Sequence, residues 1–125
     1  REKMMGDKKL IVAANMALTD AESKAFWPIY DAYQAELQKI NEQLGTIIAD
    51  YARMHNAGKL TDARARALMD RYLGAEEAEV RLKRTFAKRL DKVLPGVKVT
   101  RYLQIENKIR AIVKYELAGE VPLAK

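Results

Sequence analysis

The residue types that most often perform chemistry are scarce in this chain and poorly placed for it. His55 is the only histidine and there is no cysteine, so the usual ligand set for a transition metal is missing. Ser23 is the only serine. It falls in the first turn of a predicted helix, without the nearby histidine base that a serine nucleophile needs. We therefore predict a protein that is not an enzyme and has no cofactor and no metal site.

A small group of glutamates keeps one chemical alternative open. The group lies on two predicted helices and consists of Glu76, Glu77, Glu79 and, on the second helix, Glu106. Carboxylates alone can hold a hard cation. Helical glutamates are more often solvated or paired with cations, and Arg71 and Arg81 are suitably spaced partners. A carboxylate-based metal sensor is accordingly the weaker interpretation.

Positive charge is concentrated in the second half of the chain. The formal net charge is +6, which favours acidic partners. From Arg81 onward cations greatly outnumber acids, and antiparallel pairing of the helices would place this segment beside aromatic residues of the first half. Basic charge next to aromatic rings suits a polypeptide that is flexible, partly apolar and partly acidic. We predict partner binding through these residues: Trp27, Tyr30, Arg81, Arg84, Lys88, Arg89 and Arg101.

The basic surface has two other interpretations. In the first, the aromatic residues form the core and the cations only solvate exposed helix faces. In the second, the protein is a small basic nucleic-acid-associated protein, since cations and rings also bind nucleic acid. No helix-turn-helix, basic zipper arm or RNA-binding module is recognisable, so nucleic acid is the less favoured partner. No apolar run approaches the ~18 residues of a membrane span, and we expect none.

Long helices must position these residues. Over residues 26–54 apolar residues recur at alternating steps of four and three, the heptad pattern of a helix packed along a partner. A capping box at Thr19 predicts where this helix begins. Pro28 lies too deep for the first turn, so it predicts a kink near Trp27 rather than a break.

The predicted fold class is all-α, with the whole chain as one domain. A second long helix follows a short loop, which predicts a long antiparallel helical hairpin. Asp7 is the expected N-cap of a short N-terminal helix, preceded by a frayed start. The predicted helices span about 8–16, 19–56, 61–93 and 98–117. The apolar face of the last helix is too wide for one contact, so it must touch both hairpin arms, or one arm and a second subunit in a homodimer.

Pairing residues across the predicted turn gives the register of the hairpin. It sets Glu79 opposite Ile40, so Glu79 must either reach solvent or find a partner on the last helix. It also sets Gly45 level with Gly74, where the two backbones could approach closely. The alternative is that both glycines are tolerated weak points in their helices.

Two short segments carry a family resemblance. Residues 18–22 and 60–64 resemble the Leu-Thr-x-x-Gln repeats of the Spy/CpxP family, small helical periplasmic stress proteins, although the fifth position holds Glu22 and Arg64 instead of Gln. Residues 26–30 and 101–107 are similar to blocks in a group of small exported proteobacterial proteins. The resemblance implies a thin, curved dimer in the periplasm that acts as an ATP-independent chaperone or in stress signalling. The start at Arg1 then reflects a removed export signal, and a trimmed chain is the alternative.

Overall fold

The computed structural model describes residues 2–125, with side chains from residue 5 onward, and consists of α-helices joined by short connections. The helices are α1 (Glu2–Met16), α2 (Asp20–Asn56), α3 (Asp62–Asp91) and α4 (Gly96–Glu120). Helices α2 and α3 pack along each other as a long antiparallel hairpin, and α4 packs on α3 and on α1. The predicted all-α fold, with its hairpin and short N-terminal helix, is confirmed.

Helix α1 begins earlier than predicted and packs through one face only. Asp7 lies inside the helix and does not cap it. Val12 and Met16 are fully buried, whereas Leu10 and Ile11 are 70% and 49% exposed. Residues four apart share one side of a helix, and α4 covers the side that carries positions 12 and 16. Leu10 and Ile11 are therefore not part of the packing face of α1.

Helix α2 is a continuous helix of 37 residues, about 55 Å long at 1.5 Å per residue. At its start Thr19 Oγ1 accepts a hydrogen bond from the Glu22 amide at 3.2 Å, and Glu22 Oε1 accepts one from the Thr19 amide at 2.9 Å. Pro28 does not interrupt the helix. The heptad positions form its buried side: Phe26, Tyr30, Tyr33, Leu37, Ile40, Leu44 and Ile47.

The core changes in composition along the hairpin. At the open end, where α1 and the start of α4 cover the hairpin, it is built around aromatic rings and includes Phe26, Tyr30 and Tyr102. Toward the turn it becomes aliphatic and includes Ile40, Leu44, Ile47, Leu68 and Ala75. The two hairpin arms supply this second part by themselves, and only the later half of α4 lies near it.

Gly45 and Gly74 do not bring the two arms of the hairpin together. A Cβ placed on either glycine has no atom within 4 Å, and both glycines are exposed. Their neighbours Leu44 and Ala75 occupy the buried positions, so the glycines point out beside the seam. The predicted close approach is therefore wrong, and the glycines are weak points on the surface.

We expect Gly45→Ala and Gly74→Ala each to raise the free energy of unfolding by about 0.5–1 kcal/mol, because alanine loses less backbone entropy in a helix. Urea denaturation followed by circular dichroism measures the change. Gly58→Ala is the matched control: Gly58 has φ +66, where a side chain is strained, so this variant should lose about 1–2 kcal/mol. A loss of stability in either helix variant would contradict the explanation.

Candidate functional site

The aromatic residues of the predicted binding face belong to the core. Tyr30 is 3% exposed, and its ring centroid lies 5.9 Å from that of Phe26, 5.2 Å from Trp27 and 6.0 Å from Tyr102. Trp27 is half-buried, with the Lys9 ammonium 5.2 Å from its ring centroid. The prediction that Tyr30 binds a partner is therefore corrected, because this ring packs the junction between the hairpin and α4 and is not accessible.

Three of the predicted basic residues are free to meet a partner. Arg81, Arg84 and Lys88 are exposed. Their positions lie on the side of α3 away from its buried residues Glu79 and Phe86. This part of the predicted face is at the surface, without the aromatic rings that were expected beside it.

The other two predicted basic residues contact the protein itself. The Arg89 guanidinium lies over the Phe86 ring, 4.6 Å from its centroid, and so covers part of the core. Arg101 Nη1 donates to the Met16 carbonyl at 3.1 Å. Since Met16 is the last residue of α1, this bond satisfies a free carbonyl at the end of that helix and ties α4 to it. Arg101 thus has a structural role.

The outer side of α3 also carries unpacked aliphatic side chains. Met69, Leu73 and Val80 are 58%, 46% and 52% exposed. Steps of four and seven place them, with Arg84 and Lys88, on a strip that turns by about 100° around the exposed side of the helix between Met69 and Lys88. We call these five residues the outer α3 stripe. All three aliphatic residues fall outside the heptad seam, and this position indicates exposure. The sequence-based prediction missed them because it considered only aromatic rings beside the cations.

An apolar pocket lies near the turn of the hairpin, between α2, α3, the later half of α4 and the tail that follows it. Its volume is about 560 Å³, and the residues around it include Leu44, Ile47, Leu68 and Leu117. Lys114 is the one charged residue lining it within the described part of the chain. The tail crosses one side of the pocket, where the Tyr51 hydroxyl donates to the Pro122 carbonyl at 2.6 Å.

Beside the apolar pocket lies a buried ion cluster around Glu79. The Arg110 guanidinium donates to this carboxylate from Nη2 at 2.7 Å and from Nε at 3.2 Å to both oxygens, and it donates from Nη1 to Asn41 at 2.5 Å. The ammonium groups of Lys83 and Lys114 each lie 3.5 Å away. Burial acts to raise the pKa of Glu79, but the three cations outweigh it and hold the pKa below its usual value. Of the two alternatives stated for Glu79, solvent or a partner on the last helix, the structure shows the second.

A second buried carboxylate joins three helices. Glu106 accepts hydrogen bonds from Lys8 at 2.7 Å, from Gln34 at 2.8 Å and from the Tyr102 hydroxyl at 2.5 Å. Burial, together with the nearby Glu106 charge, raises the pKa of Tyr102, so its phenol stays protonated as a donor. Glu106 is thereby fully engaged in holding α1 and α2 to α4.

The candidate catalytic and metal-binding groups are not assembled into a site. His55 stacks on Tyr51 with ring centroids 5.6 Å apart, and its ring nitrogens have no hydrogen-bond partner among the described residues. Ser23 lies at the other end of α2. In the part of the chain that the structure describes, no group of three or more His, Cys, Asp or Glu residues could hold a metal ion. The geometry adds nothing in favour of a carboxylate metal sensor.

No family model, curated protein or solved structure matches this chain. Thr19 and Thr61 of the two Leu-Thr segments are the N-caps of α2 and α3. In the second segment Arg64 cannot complete a capping box, and its Nη1 instead donates to the Lys59 carbonyl at 2.8 Å. Within residues 2–125 no helix has the length and apolar character to span a membrane.

Proposed function

We propose that this protein is a non-enzymatic binding protein that holds partly unfolded polypeptides through the outer α3 stripe. One observation carries the proposal: Met69, Leu73 and Val80 are exposed on the same outer side of α3 as Arg84 and Lys88. Single exposed apolar residues are ordinary, but aligned ones bordered by charge are typical of an interaction surface. A chain segment with apolar and acidic residues would complement both parts of the stripe.

The proposal includes a periplasmic location and a role in stress. Its support is the resemblance of residues 18–22 and 60–64 to the Spy/CpxP repeats, together with the net charge of +6. A homodimer is part of the same proposal, because Ile112 and Tyr115 on α4 are exposed large apolar residues that a second subunit would cover.

Suppression of aggregation tests the binding function. At equimolar concentration the wild-type protein should suppress the light scattering of a chemically denatured client protein as it is diluted into buffer. Arg84→Glu/Lys88→Glu should lose most of this suppression, since it reverses the charge of the stripe. Leu73→Ser/Val80→Ser should lose it as well, since it removes the apolar contact.

The matched control is Lys59→Glu/Lys92→Glu, which makes the same change in net charge at two exposed residues outside the stripe. It should suppress aggregation as the wild type does. If the wild type fails to suppress aggregation, or if Arg84→Glu/Lys88→Glu equals the control, the proposal fails.

The exposed line of Arg81, Arg84 and Lys88 favours nucleic acid as a second candidate partner. The same variants separate the two functions. Binding to single-stranded nucleic acid that weakens steeply with salt, is lost in Arg84→Glu/Lys88→Glu and is retained in Leu73→Ser/Val80→Ser would assign the stripe to nucleic acid. A polypeptide partner requires loss of binding in both variants.

A further inference from the structure

We infer that the apolar pocket binds a single-chain fatty acid, with its hydrocarbon chain between α2, α3 and α4 and its carboxylate at Lys114. This ligand differs in class from the polypeptide proposed above. The apolar pocket opens on the side of the hairpin that faces α4, and the outer α3 stripe borders it only at Met69. The two proposals can therefore be tested separately.

The walls of the apolar pocket suit a hydrocarbon chain. Its volume of about 560 Å³ lies within the range of about 300–1,000 Å³ usual for small-ligand sites. Leu44, Ile47, Leu68 and Leu117 give water few groups with which to hydrogen-bond. Each methylene that enters leaves bulk water for apolar contacts, which is favourable.

Charge at one side of the apolar pocket selects the head group. A single carboxylate, that of Glu79, is shared by three cations, Arg110, Lys83 and Lys114. Arg110 is buried and directs its guanidinium to Glu79 and Asn41, whereas Lys83 and Lys114 are partly exposed. The two lysines are therefore the cations that remain accessible to an anion.

Glu76 limits the charge that the ligand can carry. Burial and the nearby Glu76 carboxylate raise the pKa of Tyr72, which lies in the wall of the apolar pocket. With Glu76 and Glu79 both counted, two carboxylates face the three cations of the buried ion cluster. The excess of one positive charge matches a monocarboxylate.

The tail favours a single chain over a helix as the occupant. The hydrogen bond from Tyr51 to the Pro122 carbonyl holds residues 121–124 along the apolar pocket, with Val121 and Ala124 in its wall. A helix with its side chains is about 10–12 Å across and needs an open groove. A narrow, flexible chain can enter without displacing the tail.

Isothermal titration calorimetry with laurate below its critical micelle concentration tests the inference. We expect one laurate per chain, bound at least about tenfold more tightly than dodecyltrimethylammonium, which has an alkyl chain one carbon longer and a cationic head. Lys114→Gln should weaken laurate binding about tenfold, since it removes the charge-assisted contact. Lys108→Gln is the matched control, because Lys108 is exposed on the same helix and does not line the apolar pocket.

Methyl NMR of the wild type gives a second measurement that does not depend on a variant. Laurate should shift the methyl resonances of Leu44, Ile47 and Leu117 and leave those of Leu90 and Val99, in the other part of the core, unchanged. Equal affinity for the two amphiphiles, equal effects of the two lysine variants, or shifts outside the apolar pocket would overturn the inference.

Sedimentation velocity distinguishes a fatty acid from a second copy of the chain as the occupant of the apolar pocket. A sedimentation coefficient that laurate does not change, for a monomer or for a dimer, supports the inference. A dimer that laurate dissociates would assign the apolar pocket to the second copy and overturn it. Arg84→Glu/Lys88→Glu should bind laurate as the wild type does, so a failure of either proposal leaves the other intact.

Discussion

Replacing Glu79 by leucine is expected to lower the free energy of unfolding by about 3–5 kcal/mol, the cost of leaving the partner of a buried ion pair uncompensated. In Glu79→Leu the buried Arg110 guanidinium would keep only its hydrogen bond to Asn41. Removing the other partner, in Arg110→Leu, should cost less, about 2–3 kcal/mol. In that variant the Glu79 carboxylate keeps two ammonium groups at 3.5 Å. Urea denaturation of the two variants measures the difference.

The double variant Glu79→Leu/Arg110→Leu should recover most of the loss and lie within about 1 kcal/mol of the wild type, since an apolar pair carries no desolvation cost. The four proteins form a double-mutant cycle. Losses that simply add in the double variant would show that the two side chains act independently and would contradict the paired arrangement.

The same pair predicts how stability depends on pH. The pKa of Glu79 is lower in the folded protein than its usual value of 4.5. The stabilisation is therefore fully present above the unfolded-state pKa and is lost as the pH falls below about 4.5 toward the folded-state pKa. The wild type should lose stability more steeply than Glu79→Leu/Arg110→Leu over this acidic range, as measured by urea midpoints at successive pH values.

Phe26→Ala is the second change expected to have a large effect, with a loss of about 3–5 kcal/mol in the free energy of unfolding. Phe26 is fully buried, and its ring lies edge-on to Trp27 at 4.8 Å and to Tyr102 at 5.1 Å. Its removal leaves a cavity where α1, α2 and α4 meet. It also deletes these two edge-on ring contacts, each worth about 0.5–1.5 kcal/mol beyond the area buried, and the tilted contact with Tyr30.

Two comparisons give this experiment its controls. Phe26→Leu keeps most of the volume and should cost less than half as much as Phe26→Ala. Leu73→Ala changes an exposed position on α3 and should lie within about 0.5 kcal/mol of the wild type. Urea denaturation followed by the fluorescence of the single tryptophan, Trp27, reports on this region directly. A loss in Phe26→Ala no larger than in Leu73→Ala would place Phe26 outside the core.

The helical hairpin could be predicted from the sequence because its helices depend on local sequence patterns. The capping box at Thr19 depends on residues three apart, and the seam of α2 depends on a period fixed by helix geometry. The register across the turn follows from the short loop between the helices. It placed Glu79 in the seam, with solvent or a partner on the last helix as the alternatives, and the structure shows the partner.

The candidate site was harder to predict because it depends on contacts between distant residues. Phe26 and Tyr30 belong to the seam of α2, but the sequence could not show what covers them at the open end of the hairpin, since Tyr102 on α4 supplies the ring that completes their cluster. Basic residues near Arg101 likewise look like a binding surface. In the structure Arg101 and Lys98 donate to carbonyls at the end of α1 and in the turn after it. The apolar pocket is lined by segments that range from residue 44 to residue 124, so no local sequence pattern predicts it.

The ion pair between Lys8 and Glu106 joins positions that are 98 residues apart, and this separation has a consequence for folding. The α2–α3 hairpin closes through a short loop and can form early, whereas α1 meets α2 through side chains such as Lys9 on Trp27 and makes its close backbone contacts with α4. A chain synthesised from its N-terminus would therefore leave Val12 and Met16 incompletely covered until α4 had emerged. We expect docking of the two terminal helices to be the last step of folding, with their apolar faces open to chaperones or to other chains until it occurs.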